Sequence, residues 1–190
     1  VPAQAPLYVF ADTDIFSKAP YRLTAAGISD LLGKYICLAD WRIAHAVTGE
    51  YICEEICSLE YKAVKDVVKR LDDIREGDAE ACERLMYALL LSGLAMQMAG
   101  GPRPAFCAEH HLSCLWEMEV INESTDALHG EQVGVGLLLA EKYYRRIQKA
   151  IENGRCEIRR HEGLEKELLQ TTFGSHGLYE AVMDENTPDP

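Results

Sequence analysis

The stretch from residue 79 to 98 constrains this chain more than any other. It is polar for one turn, at Glu80, Glu83 and Arg84, and then almost wholly apolar on every side through Leu85, Met86, Ala88, Leu89, Leu90, Leu91, Leu94, Ala95 and Met96. A helix that is apolar all round must be wrapped by other elements. Its apolar run, residues 85–99, is shorter than the ~20 residues that cross a bilayer, and it carries Ser92, Gly93 and Gln97. The run therefore predicts the central helix of a bundle.

Most of the remaining chain has the same period. A short helix is expected over residues 17–26, with Pro20 in its first turn, broken by Gly27. Helices follow over residues 29–45, ended by Gly49, and over residues 51–75, where Ile52, Ile56, Leu59, Val64, Val67, Val68, Leu71 and Ile74 share one face. Asp78 is an N-cap for the central helix. Gly100-Gly101-Pro102-Arg103-Pro104 is a rigid loop. Further helices are expected over residues 107–120, 130–152, 157–170 and 178–183, with a loop at 122–128. Only Leu7-Tyr8-Val9-Phe10, ended by Asp12-Thr13-Asp14, reads as a strand. The predicted fold class is all-α: a bundle of seven to nine helices with one short N-terminal strand. A lone strand is unstable, so residues 1–16 are assigned to the end of an upstream domain or a linker, and residues 17–190 to the helical domain. Val1 is not an initiator Met, and Glu185-Asn186-Thr187-Pro188-Asp189-Pro190 reads as a loop leading onward. Both ends suggest a segment of a longer protein.

Charge and cysteine usage narrow the function classes. A net charge of −12 argues against a nucleic-acid binder, which needs a basic face. The seven cysteines are odd in number and include no Cys-x-x-Cys pair, so the chain reads as reduced and cytoplasmic. Neither a signal peptide nor a membrane span is expected.

The candidate chemistry lies at two helix starts. His110 and His111 follow the 100–104 loop, and His129-Gly130 opens the next long helix. Asp30 is expected near the start of the helix after Gly27. A carboxylate and two imidazoles suit a divalent cation with a position left open for substrate. On spacing alone each histidine is better explained as a surface or capping residue. Helix N-termini also disfavour cations. Glu109 and Glu131 adjoin the histidines as candidate acceptors for imidazole N–H. His111 faces about 100° away from His110. His45 and His161 read as helix-surface residues, and His176 as a loop residue.

Three motifs add to that reading. Ala25-Ala26-Gly27-Ile28-Ser29-Asp30-Leu31-Leu32-Gly33-Lys34-Tyr35, followed by Leu38-Ala39-Asp40-Trp41, resembles the metal-aspartate motif of glycerol-1-phosphate dehydrogenases. Ser92-Gly93-Leu94-Ala95-Met96, Arg103-Pro104-Ala105, Ala108-Glu109-His110-His111 and Trp116-Glu117-Met118 resemble the central motif of that family. His129-Gly130-Glu131-Gln132-Val133-Gly134-Val135-Gly136 resembles its last metal motif. The wider group contains iron-type alcohol dehydrogenases, glycerol dehydrogenases and dehydroquinate synthases.

The resemblance implies a helical metal-binding domain that follows an NAD(P)-binding α/β domain. This chain has no Gly-rich phosphate loop after a strand, so no cofactor-binding residue is assigned here. By resemblance Asp30, His110 and His129 are the metal ligands. The ion is zinc, or alternatively nickel or iron(II). It acts as a Lewis acid on the carbonyl of dihydroxyacetone phosphate, a step of phospholipid biosynthesis. The implied partner is a small phosphorylated polyol or ketone, and a homodimer is compatible with the resemblance.

The chain departs from the family at Gly101-Pro102, where Ser-Ser is usual, at Phe106-Cys107, where Ser-Gly is usual, and at Cys114, where a substrate-facing histidine is usual. Cys114 is therefore a weak substitute, or a thiolate if a cation lowers its pKa. The isolated chain is expected to bind metal without turnover. Two alternatives remain: a non-catalytic helical module, and a lyase like dehydroquinate synthase, whose family has Glu in place of Asp30.

Overall fold

A computed structural model describes residues 6–121, 123–157 and 165–185. Among them the helices are α1 (Thr13–Phe16), α2 (Tyr21–Thr48), α3 (Glu54–Val68), α4 (Leu71–Glu76), α5 (Ala79–Ala99), α6 (Ala108–Glu117), α7 (His129–Glu152), α8 (Lys166–Phe173) and α9 (Tyr179–Glu185), with a 3₁₀ turn at Gly174–His176. No strand occurs among the described residues. The fold class is all-α.

Leu7–Phe10 corrects the sequence reading. The segment is irregular, and Leu7 and Phe10 are 87% and 94% exposed. Its β-branched and aromatic side chains favour a pleated surface, but no second strand among the described residues offers it a ladder.

The central helix is α2, not α5. It packs against α3, α5, α6 and α7. Its buried residues point in different directions: Leu31 into one core cluster, Leu38 and Trp41 into another, Lys34 toward the loop before α6 and Cys37 toward α6 itself. The first cluster joins Leu31 to Val64, Val67, Ile74, Ala81, Cys82, Leu85 and Ala88. The second joins Leu38 and Trp41 to Ile56, Cys57 and Ala95. Buried Trp41 donates its indole N–H to the Tyr51 carbonyl at 2.7 Å, so its one polar atom is satisfied. By contrast α5 leaves Tyr87, Leu94 and Met98 exposed.

Two boundaries differ from the expected ones. Helix α2 continues through Gly27, because a glycine within a helix costs only about 1 kcal/mol against alanine, and packing on both flanks outweighs that. The expected helix over residues 51–75 is broken into α3 and α4 at Arg70, whose φ of −116° and ψ of 15° leave the helical region. The break turns Ile74 into the cluster already holding Val64 and Val67, and neither proline nor glycine marks it in the sequence.

Elsewhere the local chemistry acts as expected. Asp78 caps α5 by accepting the Ala81 N–H at 2.8 Å. Gly49 and Gly100 end α2 and α5 at φ of 75° and 68°, a conformation open to glycine at no steric cost. The expected helices at 107–120, 130–152 and 178–183 correspond to α6, α7 and α9. The one expected at 157–170 falls partly on residues 158–164, outside the described residues, as does His161. No helix among the described residues is long and apolar enough to cross a membrane.

Candidate metal centre

Asp30, His110 and His129 come from α2, α6 and α7. Their ligand atoms all lie within 4.8 Å of one another. His110 Nε2 is 3.1 Å from Asp30 Oδ1, and His129 Nε2 is 3.9 Å from the same oxygen. The two imidazole rings have centroids 5.4 Å apart. Asp30 lies well inside α2 rather than at its start, so no helix N-terminus opposes a cation there. Only the two histidines sit in first turns.

Close helix packing makes this convergence geometrically feasible. A Cβ on Gly130 would collide with the Ala26 carbonyl oxygen, and one on Gly136 with the Glu109 carbonyl oxygen. Without those glycines α7 could not approach α2 and α6 as it does. Helix α6 is set by a residue from α2: Asp40 Oδ2 accepts the Ala108 N–H at 3.0 Å, capping an N-terminus that Cys107 leaves uncapped. Tyr144 of α7 donates to the other oxygen of Asp40.

Each histidine is oriented from behind. His110 Nδ1 lies 2.6 Å from Glu109 Oε1, and His129 Nδ1 lies 2.5 Å from Glu117 Oε1. With Nδ1–H donated to a carboxylate, the lone pair of the neutral ring is on Nε2, facing Asp30. Glu109 thus serves as expected. Glu131 does not: it binds Arg22 through both oxygens, at 2.7 and 2.8 Å, and accepts the Leu128 N–H at 2.8 Å. Arg22 also donates to the Asp126 carbonyl at 2.8 Å, tying the loop before α7 to α2. Sequence reasoning missed Glu117 as an acceptor. Its only signal is its place in the Trp116-Glu117-Met118 motif.

The charges are balanced locally. Burial pushes the Asp30 carboxyl up, but the hydrogen bond with His110 and the nearby Lys34 ammonium outweigh it and hold Asp30 below the usual range. Lys34 is buried, 3.6 Å from Asp30 Oδ1, and donates to the Ala105 carbonyl at 3.1 Å. Burial pushes His110 down, yet hydrogen bonds to Asp30 and Glu109 prevail and leave it raised.

The departures from the family also have defined places. Phe106 packs against both His110 and His111, with ring centroids 5.0 and 5.2 Å away. His111 is exposed and stands apart from the triad. Burial, and then Glu117, push the Cys114 thiol up and outweigh a hydrogen bond with Ser113, so its surroundings favour the neutral thiol. His45 is exposed and hydrogen-bonds the Glu50 carbonyl at 2.6 Å. A cleft of about 310 Å³ opens beside the His129 turn, lined by Trp116, Thr125, Ala127, Glu131, Gln132 and Val135.

This donor set fits a divalent cation. It offers one carboxylate and two imidazoles whose facing nitrogens present lone pairs once the rings are neutral. Architecture and site together define an all-α domain with a two-histidine, one-carboxylate cluster between three helices.

Comparison with known proteins narrows that class. No family model matches the chain. It is 40% identical over 148 residues to a glycerol-1-phosphate dehydrogenase [NAD(P)+] of Geobacillus thermodenitrificans, covering 77% of this chain and 37% of the relative. The enzymes of the same name from Thermococcus sibiricus and Methanothermobacter thermautotrophicus are 40% and 38% identical, over 73% and 72% of this chain and 39% of each relative. Over this segment the chain is similar to the glycerol-1-phosphate dehydrogenases. It spans less than two-fifths of the length of the relatives it matches.

Proposed function

We propose that this chain is the metal-binding side of an NAD(P)-dependent dehydrogenase that interconverts dihydroxyacetone phosphate and glycerol 1-phosphate. The observation that carries the reading is the meeting of Asp30, His110 and His129 within 4.8 Å, in a chain 40% identical to enzymes of that name. Asp30 Oδ1 and the two Nε2 atoms would hold the ion: zinc, with nickel or iron(II) as alternatives. When bound, that ion polarises the substrate carbonyl as a Lewis acid.

The chain's own residues hold and orient. Glu109 and Glu117 keep each imidazole proton on Nδ1 and fix the ring planes. Lys34 offsets the Asp30 charge from the buried side. Asp40 sets the start of α6, and Arg22 with Glu131 sets the start of α7. The nicotinamide belongs to a nucleotide-binding domain upstream, for which residues 1–16 are the connection and residues 17–190 the helical partner. Seven free thiols fit the reducing cytoplasm. A homodimer is compatible with this arrangement.

Calorimetry with zinc or nickel tests the ligand set. Wild type should bind one equivalent, and Asp30→Ala with His110→Ala should abolish it. Equal binding by the double variant would refute the assignment. Turnover requires the nucleotide-binding domain, so the isolated chain should load metal yet consume no NADH with dihydroxyacetone phosphate.

A second reading, a non-catalytic helical module, draws on Phe106 and Cys114. Phe106 packs against the ring of His110, and Cys114 stands as a neutral thiol where the family carries a substrate-facing histidine. A chain carrying both domains that binds nucleotide yet reduces no dihydroxyacetone phosphate would favour it.

A further inference from the structure

Behind His110, on the side turned away from Asp30, lies a second cluster of donors. Cys37 Sγ, a Glu109 carboxylate oxygen and a ring nitrogen of His110 all lie within 4.8 Å of one another. The three residues are 0%, 0% and 5% exposed. Cys37 Sγ donates to Glu109 Oε1 at 2.8 Å, and His110 Nδ1 lies 2.6 Å from the same oxygen. The other oxygen, Glu109 Oε2, is fully buried and has no hydrogen-bond partner.

Orienting His110 requires only one oxygen of Glu109. It accounts neither for a thiol aimed at the same atom nor for a buried carboxylate oxygen left unsatisfied, which carries the desolvation penalty of a charged group. A single divalent cation among the three residues would account for both.

We infer that Cys37, Glu109 and the Nδ1 atom of His110 form an inner site for a thiophilic divalent cation, zinc or cadmium, which shares the His110 ring with the outer triad through its opposite nitrogen. Thiolate, imidazole and carboxylate together are a zinc-type donor set, whereas magnesium and calcium take oxygen ligands. The Cys37 thiol is protonated when no cation is present, because burial pushes it up and the Glu109 carboxylate lies beside it. Coordination removes that proton to solvent. The His110 ring proton moves from Nδ1 to Nε2, so the ring stays neutral and only its tautomer changes. That tautomer turns an N–H toward Asp30 and removes the lone pair on which the outer triad depends. Occupation of the inner site therefore disables the outer one, and the two cations compete for one ring.

Cadmium titration of the whole 190-residue chain tests this through the ultraviolet thiolate-to-cadmium charge-transfer band. In wild type the band should saturate at one equivalent. Asp30→Ala should keep that band at equal or tighter affinity, because only the outer triad is damaged. Cys37→Ser, its fold checked by circular dichroism, should lose the band. A band unchanged in Cys37→Ser overturns the inference. So does a band abolished by Asp30→Ala, which would put the ion on the outer triad with another thiol. X-ray absorption of wild type with one equivalent of cadmium is an independent test: a first shell without sulfur overturns the site whatever the variants do. Failure of the outer triad would show differently, as zinc or nickel uptake by Cys37→Ser that a further Asp30→Ala leaves unchanged.

Discussion

Glu117 Oε1 lies 2.5 Å from His129 Nδ1, joining the last turn of α6 to the first residue of α7. The contact fixes which nitrogen of His129 faces Asp30. A carboxylate behind a ligating imidazole typically contributes about 10–100-fold in metal affinity. Glu117→Ala should therefore weaken zinc binding by at least about tenfold while the melting temperature of the metal-free chain stays close to wild type. Calorimetry and a thermal melt on the same samples would measure both. Unchanged affinity would remove Glu117 from the site.

The glycines of α7 give a graded stability series. A Cβ on Gly130 or Gly136 would meet backbone carbonyl oxygen, which cannot swing away, whereas one on Gly134 would lie 2.9 Å from the Ser29 hydroxyl, which can rotate. Gly130→Ala and Gly136→Ala should each cost about 1–3 kcal/mol or more, and Gly134→Ala less. Gly93, in the middle of α5, is the counter-case, because a Cβ added there would have nothing within 4 Å. Gly93→Ala should stabilise by up to about 1 kcal/mol. Urea unfolding of the four variants would check the order.

Glu60 makes stability depend on pH in a calculable direction. Its side chain is 1% exposed, Oε1 has no hydrogen-bond partner, and burial pushes its pKa up to about 7. An acid whose folded pKa lies above its unfolded value stabilises the fold below the unfolded value of about 4.3. That contribution is lost as pH rises through 7. Glu60→Gln should flatten the metal-free stability curve between those limits, with an effect on the order of 3 kcal/mol. Denaturant midpoints across that range would read it. A wild-type curve already flat there would show that Glu60 is solvated.

Protons and metal compete at His110. Its pKa is raised by Asp30 and Glu109. Without metal, the stability it contributes is complete below the ordinary histidine value and fades as pH rises through the raised one. With metal the slope reverses, because the ring must be neutral to bind. Zinc affinity should rise by about tenfold per pH unit below the raised pKa and then level off. Calorimetry in buffers of different ionisation enthalpy would also register the released proton.

What could be read from the sequence was uneven, for physical reasons. The all-α class was legible because the 3.6-residue period recurs over nearly every segment. The meeting of Asp30, His110 and His129 was not legible from spacing. It came from motifs, since no periodicity reports that three distant helices converge. Glu131 was expected in the role that Glu117 takes because adjacency along the chain is a poor guide on a helix, where Glu131 turns toward Arg22 and Glu117 reaches the histidine from another element. The stop at Gly27 failed because tertiary packing on α2 outweighs a weak local preference. Leu7–Phe10 carried a genuine strand composition without the partner that composition needs.

The three donors on Asp30, His110 and His129 also bear on how the bundle holds together. His110 lies 80 positions along the chain from Asp30. An ion clasped by all three would close that long loop, and the shorter one from His110 to His129, in any partly unfolded form, much as a covalent cross-link does. Loading would then act as a clasp on α2, α6 and α7, and a strong chelator would behave toward this fold as a mild denaturant.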